Sequence, residues 1–223
     1  MGGIPILTID GPSGSGKGTV ARSVARTLGW HFLDSGAIYR SLAVAVMRAG
    51  IDFDAVDEIT AIAAEMDLAF TADEPPKVLL QGENIADQIG LETTGAAASK
   101  VAALGPVRAA LLEKQRAFCR APGLVADGRD MGTVVFVDAL YKVFLTASAE
   151  VRAIRRYNQL KDKGLTVNLE GLTREIEERD RRDRERKEAP LVMADGALFI
   201  DSSAVGIEEV VQQVLALVAG KGS

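Results

Sequence analysis

The sequence predicts an α/β protein, a three-layer sandwich in which a central, mostly parallel sheet carries helices on both faces. Three observations lead there. Short apolar runs recur along the chain, "IPILTID" to Asp10, "WHFLD" to Asp34, "GLVAD" to Asp127, "YKVFL" to Leu145 and "ALFID" to Asp201. Runs this continuous suit strands buried on both faces. The intervals between them carry helical patterns, so the strands are joined by crossovers of the parallel kind. The first run, finally, breaks into glycines and then into a helix, in "TIDGPSGSGKGTVARSVA" over 8–25.

Taken in order, helices are predicted at 17–28, 37–49, 55–65, 93–120 with a break near Gly105-Pro106, 148–163, 169–187 and 206–219. The stretch 67–89 interrupts the alternation: Pro75-Pro76 and Gly82-Glu83-Asn84 are turn signals around "KVLLQ", which reads as a small antiparallel insertion. From Thr173 to Glu188 the chain holds seven Lys or Arg and seven Asp or Glu, so this helix is ion-paired rather than basic. Arg179, Arg182, Asp183 and Arg186 nevertheless fall at i, i+3, i+4 and i+7, on one face. Guanidinium groups in that arrangement suit bidentate grip on phosphate.

In open parallel sheets ligands bind beyond the carboxyl ends of the strands, where these aspartates and the glycine loop fall. The 223 residues allow one domain with a full core, and the net charge of −5 argues against a surface built to hold nucleic acid. Cys119 is the one cysteine, on a predicted helical stretch, and reads as an inert thiol in a reducing compartment. No apolar run approaches the length that spans a bilayer, and no signal-like segment opens the chain, so no membrane association and a cytoplasmic location are expected. His31 reads as a core or edge residue, and Trp30, Tyr39 and Phe136 as packing.

Gly11, Gly14, Gly16 and Lys17 stand between a strand and a helix as a P-loop requires. Backbone N–H groups and the helix N-terminus receive phosphates there, and the lysine reaches the outer ones. The usual motif has Ser or Thr directly after the lysine to meet Mg²⁺, whereas this chain has Gly18 and then Thr19. Asp127 at a strand end is the candidate metal partner through water, or a structural carboxylate, with Thr19 as a second candidate. No Asn-Lys pair occurs anywhere, which argues against a guanine-reading GTPase.

"TIDGPSGSGKGT", "LDSGAIYR" (33–40), "PVRAALL", "DGRDMGTVVF" (127–136), "RDRRDRERKEAPL" and "LFIDSS" occur in that order along nearly the whole chain. Together they resemble the nucleoside monophosphate kinases, and most closely bacterial-type cytidylate kinase. The resemblance implies transfer of the γ-phosphate of ATP to CMP or dCMP, with Mg²⁺. ATP would be held by Gly11, Pro12, Ser13, Gly14, Ser15, Gly16, Lys17, Gly18 and Thr19. It assigns the acceptor phosphate to Arg40 and Arg129, the base to Ser35, Arg108, Asp130 and Arg186, and the sugar side to Ser99, Arg179 and Asp183. Catalytic roles are expected of Lys17, Arg129, Arg182 and Arg186. Cytosine presents N4–H₂ to an acceptor and N3 and O2 to donors, a pattern that Asp130 with Arg108 and Ser35 matches.

On this reading one P-loop kinase domain has a core at 1–34, 123–149 and 191–223, an acceptor-binding region at 35–122, and a helical lid at 150–190 whose arginines find partners only when phosphates are bound. Asp201, Ser202 and Ser203 are candidates for the border of the ATP base. The partners are CMP, dCMP and ATP, with no nucleic acid, and a monomer is expected. Another small-molecule P-loop kinase and a non-catalytic nucleotide-binding module are the alternatives.

Overall fold

A computed structural model describes residues 3–71, 77–162, 164 and 166–220. In chain order the elements begin β1 (Ile6–Asp10), α1 (Lys17–Leu28), β2 (His31–Asp34), α2 (Ser35–Ala49), α3 (Val56–Glu65) and β3 (Leu68–Phe70). They continue with β4 (Val78–Leu80), β5 (Glu83–Asn84), α4 (Ala86–Ile89), α5 (Glu92–Val101), α6 (Gly105–Arg116) and β6 (Leu124–Gly128). A one-turn π-helix (Met131–Val135) comes next, then β7 (Tyr141–Thr146), α7 (Ala149–Asp162), α8 (Leu169–Glu185), β8 (Leu198–Asp201) and α9 (Ile207–Gly220). Two compact units result, one of Met1–Leu33 with Phe118–Ser223 and the other of Asp34–Ala117.

The first unit is built on a sheet of order β2-β6-β1-β7-β8. β1 lies in its middle, parallel to β6, with Asp10 opposite Gly128, and parallel to β7, with Ile9 opposite Val143. Alternation along β1 sorts its side chains. Leu7 and Ile9 enter a core with Val20 and Val24 of α1, Val143 and Leu145 of β7, and Val210 and Val214 of α9. Burying each such side chain contributes about 1.5–3 kcal/mol. Thr8 and Asp10 point to the other face, where the π-helix lies so close that a Cβ on Gly132 would stand 2.9 Å from Thr8 Oγ1. Because the strands are parallel, the loop after β1 and the residues after β6 leave the sheet at the same edge.

In the second unit α2 packs on α5 and α3 on α6. Asp34 caps α2 by accepting from the Ala37 amide at 3.0 Å, which starts the helix at Ser35, two residues before the predicted 37. The helical stretch expected over 93–120 with a break near Gly105-Pro106 is α5 and α6, the second beginning at Gly105; the short α4 over 86–89, which precedes them, was not foreseen. Leu104, in extended conformation, separates the two longer helices, and Pro106 in the first turn of α6 suits a helix start. α6 ends at Arg116, so Cys119 lies beyond the helix and not on it. The small sheet of order β3-β4-β5 is antiparallel. Its tight turn is Gln81-Gly82, both at positive φ, and Glu83-Asn84, read as turn residues, form β5. The Pro75-Pro76 turn signal lies outside the described residues. No helix among the described residues is long and apolar enough to cross a membrane.

Candidate active site

The chain leaves β1 at Gly11 with φ 150°, and a Cβ there would stand 2.0 Å from the Leu145 carbonyl oxygen of β7. Only glycine fits that approach. From Gly11 the chain enters a loop whose carbonyls are taken from outside. Pro12 O accepts from Lys17 Nζ at 2.9 Å, and Ser13 O from Arg152 at 3.0 Å. Ser15 O accepts from Ser202 Oγ at 3.1 Å and from Arg155 at 3.4 Å, and Gly16 O receives the Thr19 and Val20 amides. With its acceptors satisfied behind it, such a loop can turn N–H groups toward an anion.

Lys17 is buried, with Nζ 3.9 Å from Asp127 Oδ1. Burial, aided by the charges of Arg129 and Arg179 and opposed by Asp127 and Asp10, pushes its pKa down to about 7. Asp127 is the penultimate residue of β6. A Cβ on Gly18 would stand 3.2 Å from Asp127 Oδ2, so position 18 is the one that faces this carboxylate. Thr19, the second candidate for metal contact, is exposed one residue on, about 100° round the helix.

Beyond Asp127 the structure gathers four of the residues assigned to the acceptor. Arg129 donates from Nε to Asp183 Oδ2 at 3.0 Å, and an Arg186 guanidinium nitrogen stands 3.6 Å from Asp130 Oδ1 with both side chains buried. Arg186 also donates from Nε to the Ala189 carbonyl at 2.6 Å. Burial works against ionisation of Asp183, yet Arg129, Arg179 and Arg186 hold its carboxyl below the usual range. Arg182 is half-buried on α8, and its Nε has no partner among the described residues.

Ser35, Arg40, Ser99 and Arg108 belong to the second unit. Ser35 opens α2 and is buried. Arg40 donates to the Ile89 carbonyl at 2.5 Å, at the end of α4. Arg108 is buried on α6, donates to Ala102 O at 3.2 Å and lies over the Tyr39 ring at 5.8 Å. Ser99 is buried on α5, its hydroxyl without a partner among the described residues.

Several residues of the site escaped the sequence reading. Arg152 of α7 is buried and forms a two-pronged pair with Asp180 of α8, at 3.0 and 2.5 Å, besides bonding Ser13 O and Ala147 O. Arg155 bonds Ser202 at Oγ (3.1 Å) and at its carbonyl (2.6 Å). The expectation that the arginines of 150–190 lack partners until phosphate arrives is therefore corrected: Arg152, Arg155 and Arg186 are engaged within the protein. A signal existed, since Asp180 and Asp183 share the stripe of α8 that carries Leu172, and a carboxylate on a buried stripe requires a cation opposite. Asp10 was read only as a strand end. It is buried and accepts the Met131 amide at Oδ1 and the Gly132 amide at Oδ2, each at 2.8 Å. Asp201 and Ser203 bond each other at the end of β8, and His31, at the start of β2, meets the Ala121 carbonyl at 2.9 Å.

A family model described as cytidylate kinase matches residues 7–220. The cytidylate kinase of Methylococcus capsulatus is 62% identical over 215 residues, which cover 96% of this chain and 97% of that one. That of Colwellia psychrerythraea is 56% identical, covering 97% of each chain, and that of Photobacterium profundum 55% identical, covering 96% of this chain and 94% of the other.

Proposed function

The chain belongs to the cytidylate kinase family, and from that premise we propose how its residues carry the reaction. The enzyme transfers the γ-phosphate of ATP to CMP or dCMP, giving ADP and CDP or dCDP. Transfer between two polyanions is a matter of positioning and charge, because the attacking oxygen belongs to an acceptor phosphate already ionised and needs no general base. Gly11 to Thr19 hold the donor phosphates, and Lys17 meets the charge that shifts toward the leaving ADP. Arg40 and Arg129 take the acceptor phosphate, Arg182 and Arg186 add positive charge at transfer, and Ser99, Arg179 and Asp183 serve the sugar.

The residues present fit Mg²⁺, which is commonly held by one or two carboxylates with substrate phosphates and waters. Asp127 is such a carboxylate, its Oδ2 standing 3.2 Å from where a Cβ on Gly18 would lie, as does an Arg22 guanidinium nitrogen. Asp127 would hold the ion through water, and the ion would supply neutralisation of the donor phosphates. A cytoplasmic monomer completes this reading, the single cysteine suiting a reducing compartment.

The observation that carries the assignment of the base is the buried meeting of Asp130 with Arg186. It sets an acceptor beside a donor, as cytosine's edge requires, with Arg108 and Ser35 as further donors. Uracil would turn O4 toward the carboxylate and N3–H toward a guanidinium. Asp130→Asn is therefore expected to penalise CMP more than UMP, since an amide can present either face. The unmatched charged group is worth about 1.5–3 kcal/mol, a roughly tenfold to hundredfold narrowing of the CMP to UMP ratio of kcat/KM. Equal loss on both substrates would remove Asp130 from the base-reading set.

The depressed pKa of Lys17 gives a second test. At pH 8 a group with a pKa of about 7 is mostly neutral, and nucleotide phosphates restore its charge, so binding takes a proton from solution. Calorimetry of ADP binding at pH 8 in buffers of different ionisation enthalpy should show uptake approaching one proton, falling toward zero at pH 6. The Asp10→Asn background removes a second buried group whose pKa is about 7. No buffer dependence at pH 8 would mean that Lys17 is already cationic in the free enzyme.

A further inference from the structure

None of the substrate-binding roles falls to Asp10, and its surroundings are unusual for a strand end. Its two oxygens take the amides of Met131 and Gly132, the first two of the π-helix that comes after Asp130. Such opening amides have no acceptor within their own helix. Asp130 occupies the capping position: its carbonyl receives the Val134 and Val135 amides at 2.9 and 3.2 Å, yet its carboxylate makes no cap bond. An aspartate at that position ordinarily turns its side chain back to cap the amides of the following turn. Here a carboxylate from β1 caps them, and the Asp130 side chain meets Arg186. The fit is close, since a Cβ on Gly132 would press on Thr8 Oγ1 at 2.9 Å and meet Asp10 Oδ2 at 3.4 Å.

We propose that Asp10, the residue before the P-loop, is a positioning residue for the acceptor: by capping the π-helix from β1 it releases the Asp130 carboxylate for the base and fixes Arg129 and Asp130 in register with the donor loop. This rests on the reading of Arg129 and Asp130 as acceptor-binding residues. The device carries a cost that a purely structural contact would avoid. Burial raises the Asp10 pKa to about 7, with the charges of Asp130 and Asp127 adding to it and the two amides opposing. A buried carboxyl group that does not bind substrate is held beside two others, and the geometry gives it one task, to hold the two amides.

The test is steady-state kinetics with both substrates varied, on the wild type, Asp10→Asn, Asp10→Ala and Asp130→Asn, with thermal unfolding of each. Asp10→Asn keeps one acceptor and sets an NH₂ against the other amide, so KM for CMP should rise roughly tenfold to hundredfold. KM for ATP should change less than about twofold, although Asp10 adjoins the ATP loop. Both KM values rising together, or a lower melting temperature with both unchanged, would overturn the proposal. If Asp130→Asn shifts the CMP to UMP ratio while Asp10→Asn leaves KM for CMP alone, the positioning role fails and the reading of Asp130 stands. If Asp130→Asn moves neither quantity, the reading itself fails and the proposal with it. Should the Asp10 variants not fold, hydrogen exchange in the wild type decides: CMP should slow exchange at the Met131 and Gly132 amides, and no change would count against the role.

Discussion

Lys17→Ala is expected to lower kcat by about a hundredfold to a thousandfold, the loss of one charge-stabilising contact worth roughly 2.7–4 kcal/mol at the transition state. The fold should survive. Lys17 is buried where its charge is disfavoured, its one hydrogen bond among the described residues goes to a loop carbonyl at 2.9 Å, and Asp127 lies 3.9 Å away, so little native-state stability hangs on the ammonium. KM for CMP should stay close to the wild-type value, because the acceptor's cations are other residues. A purified, folded variant keeping more than about a tenth of wild-type kcat would show that Lys17 does not meet the transferring phosphate.

Arg152→Ala should be the most damaging single change to stability. It strips the cation from Asp180 within the interior and leaves Ser13 O and Ala147 O without their donor. Removing one partner of a buried pair costs about 3–5 kcal/mol, a large share of the total stability of a typical domain. Urea unfolding measures it through the shift in midpoint at constant slope. Arg152→Lys keeps the charge but cannot reproduce the planar fork that reaches a carboxylate and two carbonyls together, so an intermediate loss is expected. A loss under about 1 kcal/mol in Arg152→Ala would mean that water replaces the guanidinium, and that the pair is a surface contact in energetic terms.

The parallel sheet was legible because its strands are apolar on both faces and each is followed by a helical pattern. The P-loop was legible because its glycines and lysine keep a fixed spacing. Arg129 and Asp130 were assigned through family motifs, and Asp183 and Arg186 through those motifs and helical spacing; the structure brings Arg129 to Asp183 and Arg186 to Asp130. Arg152 and Asp180 were not legible as partners, since 28 residues separate them and their pairing depends on how α7 lies on α8. Asp10 was harder still, because its bonds run across 121 and 122 positions to backbone amides, which leave no mark on residue type. The division of 93–120 was legible for a local reason, the Gly105-Pro106 pair that opens α6. Helix formers such as Ala and Leu dominate there, and only the extended backbone at Leu104 separates α5 from α6.

Ser202 Oγ reaches across 187 positions to donate to Ser15 O, and Arg155 leans on Ser202 in turn. The glycine loop is thus completed by a residue far along the sequence from it. As the protein is made on the ribosome, β1, α1 and the glycines emerge early, but the Ser202 hydroxyl that donates to Ser15 O exists only once β8 has been synthesised and laid beside β7. A growing chain therefore displays its phosphate-binding motif long before it owns a finished one. The capacity to grip nucleotide arrives late, as a property of the whole parallel sheet, and a chain cut short of Ser202 would carry the motif without it.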